Sequence, residues 1–316
     1  MRILIVTPAP PGSRAGNRVT ALRWARIMRD LGHRAAIHTQ YEGQSCDLLV
    51  ALHARRSARS VARYAVQQPD QPSIVALTGT DLYRDIRRQA AAQRCLGLAT
   101  RLVVLQPDGS RFLPRGVQGK ARVILQSAQR PPAVPRKLKT VFEVSVSGHL
   151  RAVKDPLRAA RAARLLPPSS RIRIVHIGAA LSDALQRQAL AEMKSNPRYR
   201  WLGEMSAGAA RRRVARSRLL VLSSKMEGGA NVISEALVAR VPVLSSRISG
   251  SLGMLGEDYD GFFEPGDTRG LARLLNDAEG DRQFYQRLQD QCRQRARLFT
   301  PAREKKCWKR LLAEVG

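Results

Sequence analysis

Two glutamates, Glu227 and Glu235, are separated by seven residues and bracket a turn of small residues, Gly228-Gly229-Ala230-Asn231. Glycines before a helix leave backbone N–H groups open at its positive end, where an anion is welcome. A carboxylate beside such a site holds phosphate poorly but accepts hydrogen bonds from sugar hydroxyls well. Phosphate and hydroxyls side by side describe a nucleotide-sugar. The competing reading has Glu227 complementing the helix dipole, Asn231 capping the helix and Glu235 in solvent.

Other groups with chemical potential follow apolar runs. His53 and Arg55 follow the run 47–52, and Thr78 and Thr80 follow the run 73–77. Polar groups at the carboxyl ends of parallel strands line the crevice where α/β proteins bind ligands. Asn17 and Arg18 close a Pro- and Gly-rich stretch, 8–17, that follows the first apolar run. These six residues form a candidate acceptor site. Lys154 and His149 lie in the polar turn 147–156, which follows a further strand-like run.

Strand-like runs at 1–7, 34–39, 47–52, 73–77, 101–105 and 122–125 alternate with helical patterns, the first over 18–31 and ended by Gly32. Segment 127–139 is rich in Pro and basic residues and reads as a linker. Strands then resume at 140–146, 171–177, 199–202, 218–222 and 241–244, with the turn 147–156 opening a helix to about Leu166. The last helices are expected over 268–278 and 283–314. The expected domains are 1–130 for an acceptor, 140–300 for a nucleotide-sugar, and a C-terminal helix, 301–316, returning toward the first. Gly12 and Gly16 do not form a GxGxxG dinucleotide fingerprint.

The 316 residues can bury two ordinary cores. No apolar run approaches the length of a membrane span, and the start lacks the features of a signal peptide. Cys46, Cys95, Cys292 and Cys307 show no CxxC spacing, as expected of reduced thiols in a cytoplasmic protein. The net charge of +30 would attract nucleic acid, anionic membrane or small anionic substrates. The basic residues are spread over the chain and aromatic residues are few, so no stable nucleic-acid partner is expected. No acidic cluster points to a metal, and neither metal nor cofactor is expected.

Together Glu227–x7–Glu235, the Gly148-His149-Leu150…Lys154 turn and the closing Pro265-Gly266-Asp267 resemble the family-4-type glycosyltransferases of the GT-B fold. The resemblance covers essentially the whole chain. It implies an α/β protein with two Rossmann-like domains facing a central cleft. It also implies that Glu227 meets donor-sugar hydroxyls, that Glu235 holds the ribose, and that the amides of Gly228, Gly229, Ala230 and Asn231 meet sugar and diphosphate. Gly16 would approach the diphosphate, and Lys154 would neutralise the leaving group. Lys154 and Glu227 are thus the implied catalytic residues. His149 stands where that family usually has Arg.

Family members acting on ordinary hydroxyl acceptors usually carry a His-Asp pair after a strand, and here the matching position reads Thr78-Gly79-Thr80-Asp81. With the segments around Gly16 and His53, this departure is similar to the selenosugar synthases of selenoneine biosynthesis. The implied reaction couples UDP-N-acetylglucosamine, or a related UDP-hexose, to selenophosphate. Selenophosphate is already a strong nucleophile and would need cations more than a general base. Two alternatives remain at this stage: a hydroxyl acceptor (lipid or polysaccharide) at a membrane surface, or a non-enzymatic module binding anions or nucleic acid.

Overall fold

The computed structural model describes residues 1–133 and 136–316. Positions 134 and 135 of the expected linker lie outside the described residues. The chain forms two compact units: Met1–Gln126 with Glu227–Gly229 and Pro301–Gly316, and Ser127–Met226 with Ala230–Thr300.

The first unit contains β1 (Arg2–Val6), α1 (Gly16–Asp30), β2 (Arg34–His38), β3 (Leu48–Leu52), α2 (Ala58–Gln67), β4 (Ser73–Leu77), α3 (Ile86–Arg88), α4 (Ala90–Leu98), β5 (Arg101–Val104) and β6 (Ala121–Val123). Its sheet is parallel throughout, in the order β2-β1-β3-β4-β5-β6. Helices cover both faces, so β3 and β4 are buried along their whole length. Ile3, Ile5, Leu48 and Val50 pack with Trp24 and Met28 of α1, whereas Leu4, Leu49 and Ala51 pack with Val61 of α2 and Leu96 of α4.

The second unit contains β7 (Phe142–Ser147), α5 (Arg158–Ala163), β8 (Ile172–Ile177), α6 (Asp183–Ser195), β9 (Tyr199–Trp201), α7 (Ala207–Arg216), β10 (Leu219–Leu222), α8 (Asn231–Val238), β11 (Val243–Ser246), α9 (Ser249–Leu255), β12 (Phe262–Phe263), α10 (Thr268–Gly280) and α11 (Arg282–Ala296). Its parallel order is β12-β11-β10-β7-β8-β9. Counted from its own first strand this is the 3-2-1-4-5-6 Rossmann order, which reverses between β7 and β10. Glu143 of β7 is buried and accepts from Arg213 and Arg216 of α7 at 2.9 and 2.7 Å. One carboxylate thereby fastens a basic helix to the sheet.

Three expected boundaries are corrected. Helix α1 begins at Gly16, so Gly16 and Asn17 join Arg18 in its first turn rather than ending a loop. The turn carrying Lys154 is a separate 3-10 turn, Ala152–Lys154, and α5 ends at Ala163. The expected helix 283–314 is broken: α12 (Pro301–Ala313) starts afresh at Pro301, which lacks an N–H to continue α11. Within the first unit, Trp308 of α12 lies edge-on to Trp24 at 4.7 Å, and Trp24 Nε1 donates to buried Glu304 at 2.9 Å. Among the described residues no helix is long and apolar enough to cross a membrane.

Candidate active site

Strand reversal between β7 and β10 leaves a crevice at their carboxyl ends, the place where doubly wound sheets bind ligands. The turn after β7 carries His149 and Lys154, and the segment after β10 leads into Glu227. Ser223 Oγ joins them, donating within 2.9 Å of Asp155 O and 3.2 Å of Lys154 O. Lys225 N donates to Val153 O at 2.8 Å. Asp155 takes a left-handed backbone, φ 44°, and its carboxylate is held by Arg158 at 2.7 Å. Arg158 also donates to Thr268 Oγ1 at the start of α10, where Asp267 accepts from Gly270 N at 2.8 Å. In the Pro265-Gly266-Asp267 signature, Asp267 is thus a helix cap, and Arg158 links that cap to the turn bearing Lys154.

The other side of the β7 turn is pressed onto β8. A Cβ on Gly178 would come within 2.1 Å of Gly148 O. His176, buried at the end of β8, lies 3.0 Å from Gly148 O through Nε2 and 3.1 Å from Tyr199 Oη through Nδ1. A carbonyl only accepts, so the proton sits on Nε2 and the tyrosine donates to Nδ1. Burial pushes the His176 pKa down to about 4. Ala179 N donates to His149 Nδ1 at 3.1 Å.

Gly228 is buried, and Glu227, Gly229 and Asn231 are partly so. Within the first unit, a Cβ on Gly228 would come within 2.7 Å of Gly79 N and Thr78 C, and one on Gly229 within 2.6 Å of Leu105 Cβ. Both positions therefore need glycine for close approach. Helix α8 begins at Asn231 with Ala230 as its cap residue and no side-chain cap bond. Asn231 does not cap the helix as the alternative reading required. Glu235 is partly buried one turn beyond Asn231.

In the first unit the reversal lies between β1 and β3. After β1, α1 starts at an extended Ala15 with no side-chain cap and no acid in its first turn. Among the described residues Arg18 Nη1 is buried without a hydrogen-bond partner, and Gly16 is exposed. After β3, buried His53 adopts φ 75°. Its Nδ1 lies 3.8 Å from Asp81 Oδ2 and its Nε2 4.0 Å from Asp85 Oδ2. Fully buried Asp81 accepts from Ala54 N at 2.9 Å, Gly79 N at 2.8 Å and Thr78 N at 3.4 Å. Arg55 and Arg84 lie 3.7 and 3.2 Å from Asp85. Thr78 and Thr80 are partly buried beside this cluster.

Sequence reasoning missed the placing of Asp81 and Asp85 around His53. A contiguous His-Asp pair is absent, yet a histidine and an aspartate meet across two neighbouring strands. The available signal was the i, i+4 spacing of the two aspartates, which sets both on one helical face.

The sequence profile described as glycosyl transferases group 1 matches residues 131–298, more than half of the chain. The chain belongs to this family. Solved structures place this group 1 glycosyl transferase in the GT-B fold, with two Rossmann-like domains. Anabaena HepE in complex with UDP-glucose superimposes with a TM-score of 0.79 at 15% identity, over 99% of this chain and 100% of that one. Sucrose-phosphate synthase from Thermosynechococcus elongatus gives 0.79 at 14% identity, over 99% and 98%. A glycosyltransferase from Rickettsia africae gives 0.77 at 13% identity, over 99% and 98%.

Proposed function

We propose that this group 1 glycosyl transferase moves a hexosyl group from a UDP-sugar, UDP-N-acetylglucosamine or a related UDP-hexose, onto selenophosphate. In this reading the C1–O bond breaks with its electron pair leaving on UDP, and a Se–C1 bond forms. The immediate adduct carries the phosphoryl group on selenium, and its hydrolysis gives the 1-seleno-sugar. The donor part is supported by the HepE structures, which contain UDP and UDP-glucose, and by the placing of Lys154 after β7 and of Glu235 in α8, beside the strand reversal of the second unit. Glu227 accepts sugar hydroxyls and Glu235 the ribose. The amides of Gly16, Gly228, Gly229, Ala230 and Asn231, with His149, serve sugar and diphosphate. Lys154 stabilises charge growing on the leaving group.

The observation that carries an anionic acceptor is Arg18. Its Nη1 is buried and unpartnered in the first turn of a helix that has neither cap nor acid. A bound anion would satisfy that nitrogen. Asn17, Arg55, His53, Thr78 and Thr80 complete the acceptor set in this reading.

A second reading is favoured by one specific contact. His53 lies 3.8 Å from Asp81 and 4.0 Å from Asp85, and it is the imidazole that a hydroxyl acceptor would need as its base. Incubation with UDP-sugars and selenophosphate, read by mass spectrometry, tests the first reading. A product with the selenium isotope pattern is expected. UDP release only with hydroxyl acceptors would replace selenophosphate by the second reading.

A further inference from the structure

The turn between β7 and α5 carries His149, and its hydrogen bonds define what that residue can offer. Taking the turn as the diphosphate site, we propose that His149 serves it as an uncharged donor through Nε2–H, in a tautomer fixed by the backbone N–H of Ala179. An amide nitrogen can only donate, so Nδ1, 3.1 Å from Ala179 N, presents its lone pair. The ring proton is then on Nε2. A second proton at Nδ1 would set two N–H groups against each other and abolish the bond.

Ala179 cannot yield easily. Its carbonyl accepts from Leu150 N at 2.8 Å, and its neighbour Gly178 has no room even for a Cβ against Gly148. Gly148 is anchored from below by His176. The charged groups acting on the ring are Glu204, from the connection between β9 and α7, and Lys154 and Arg151, from its own turn. Burial lowers the His149 pKa most, Glu204 opposes this, and Lys154 and Arg151 reinforce it. Cationic stabilisation on this turn therefore comes from Lys154 and Arg151, and His149 adds a fixed dipole. Such a donor still gains strength as negative charge develops on a phosphate oxygen.

The ring can be observed directly. Long-range proton–nitrogen NMR on histidine-labelled protein, assigned with His149→Gln, should show a neutral Nε2–H ring at pH 7. An Nδ1–H ring, or an imidazolium at pH 7, overturns the proposal. In turnover assays His149→Ala should lose about tenfold or more in kcat. His149→Gln, which restores an uncharged N–H, should recover part of that loss. If Gln is as poor as Ala while His149→Arg exceeds both, the residue serves by charge and the proposal is wrong. UDP titration of Lys154→Ala tests the underlying diphosphate reading separately. Unchanged affinity and unchanged kcat there would remove that reading, whatever tautomer the NMR shows.

Discussion

His53 Nδ1 and Asp81 Oδ2 lie 3.8 Å apart although the residues follow different strands, β3 and β4. Asp81 reaches this position while accepting hydrogen bonds from Ala54, Gly79 and Thr78. It therefore ties the two strand ends together as well as facing the histidine. Asp81→Ala should cost about 2–4 kcal/mol of stability, because buried N–H groups lose a charged acceptor. Urea unfolding measures this. His53→Ala should cost less stability, and its effect on turnover separates the two acceptors: abolished activity marks a hydroxyl acceptor.

Glu235→Ala should weaken UDP binding by roughly 1–3 kcal/mol if the carboxylate holds the ribose. Calorimetric titration of the folded variant decides. A change under about 0.5 kcal/mol would return Glu235 to an ordinary helix surface.

Division of labour gives a third expectation. Arg18→Ala or Arg55→Ala should raise the acceptor KM or lower kcat with little change in UDP affinity. Lys154→Ala should cut kcat by about a hundredfold, since its interaction grows in the transition state. Steady-state kinetics in both substrates, beside UDP titrations, resolve the pattern.

The strand series and the glycine turn before α8 were legible because each rests on local pattern. Fully buried strands read as apolar runs, and glycines before a helix read as a turn. What stayed hidden depends on adjacency between distant segments. Nothing near Arg158 in sequence announces that it joins Asp155 to Thr268, and nothing near His53 announces Asp81. The break before α12 was legible in Pro301, and apolar spacing alone concealed it.

His176 supplies a pH expectation. Its pKa is about 4 in the folded protein against an ordinary value of 6.5. Between these values the unfolded chain binds the extra proton and the folded one does not, so stability falls as pH drops from about 6.5 toward 4. The loss from this group is on the order of 3 kcal/mol at most. Denaturant unfolding from pH 7.5 to 4.5 should show the slope, and His176→Asn should flatten it.

Helix α12 has a consequence for how the protein is made. One face of the first sheet buries Ile3, Ile5 and Trp24 together with Trp308, Leu311 and Leu312. During translation the strands of that sheet and α1 leave the ribosome early, but α12, the rest of their cover, begins 178 residues after β6. The strands of the second unit are complete by Phe263, before that helix is made. A nascent chain halted before Pro301 would thus present an uncovered apolar face to chaperones until its last helix emerged.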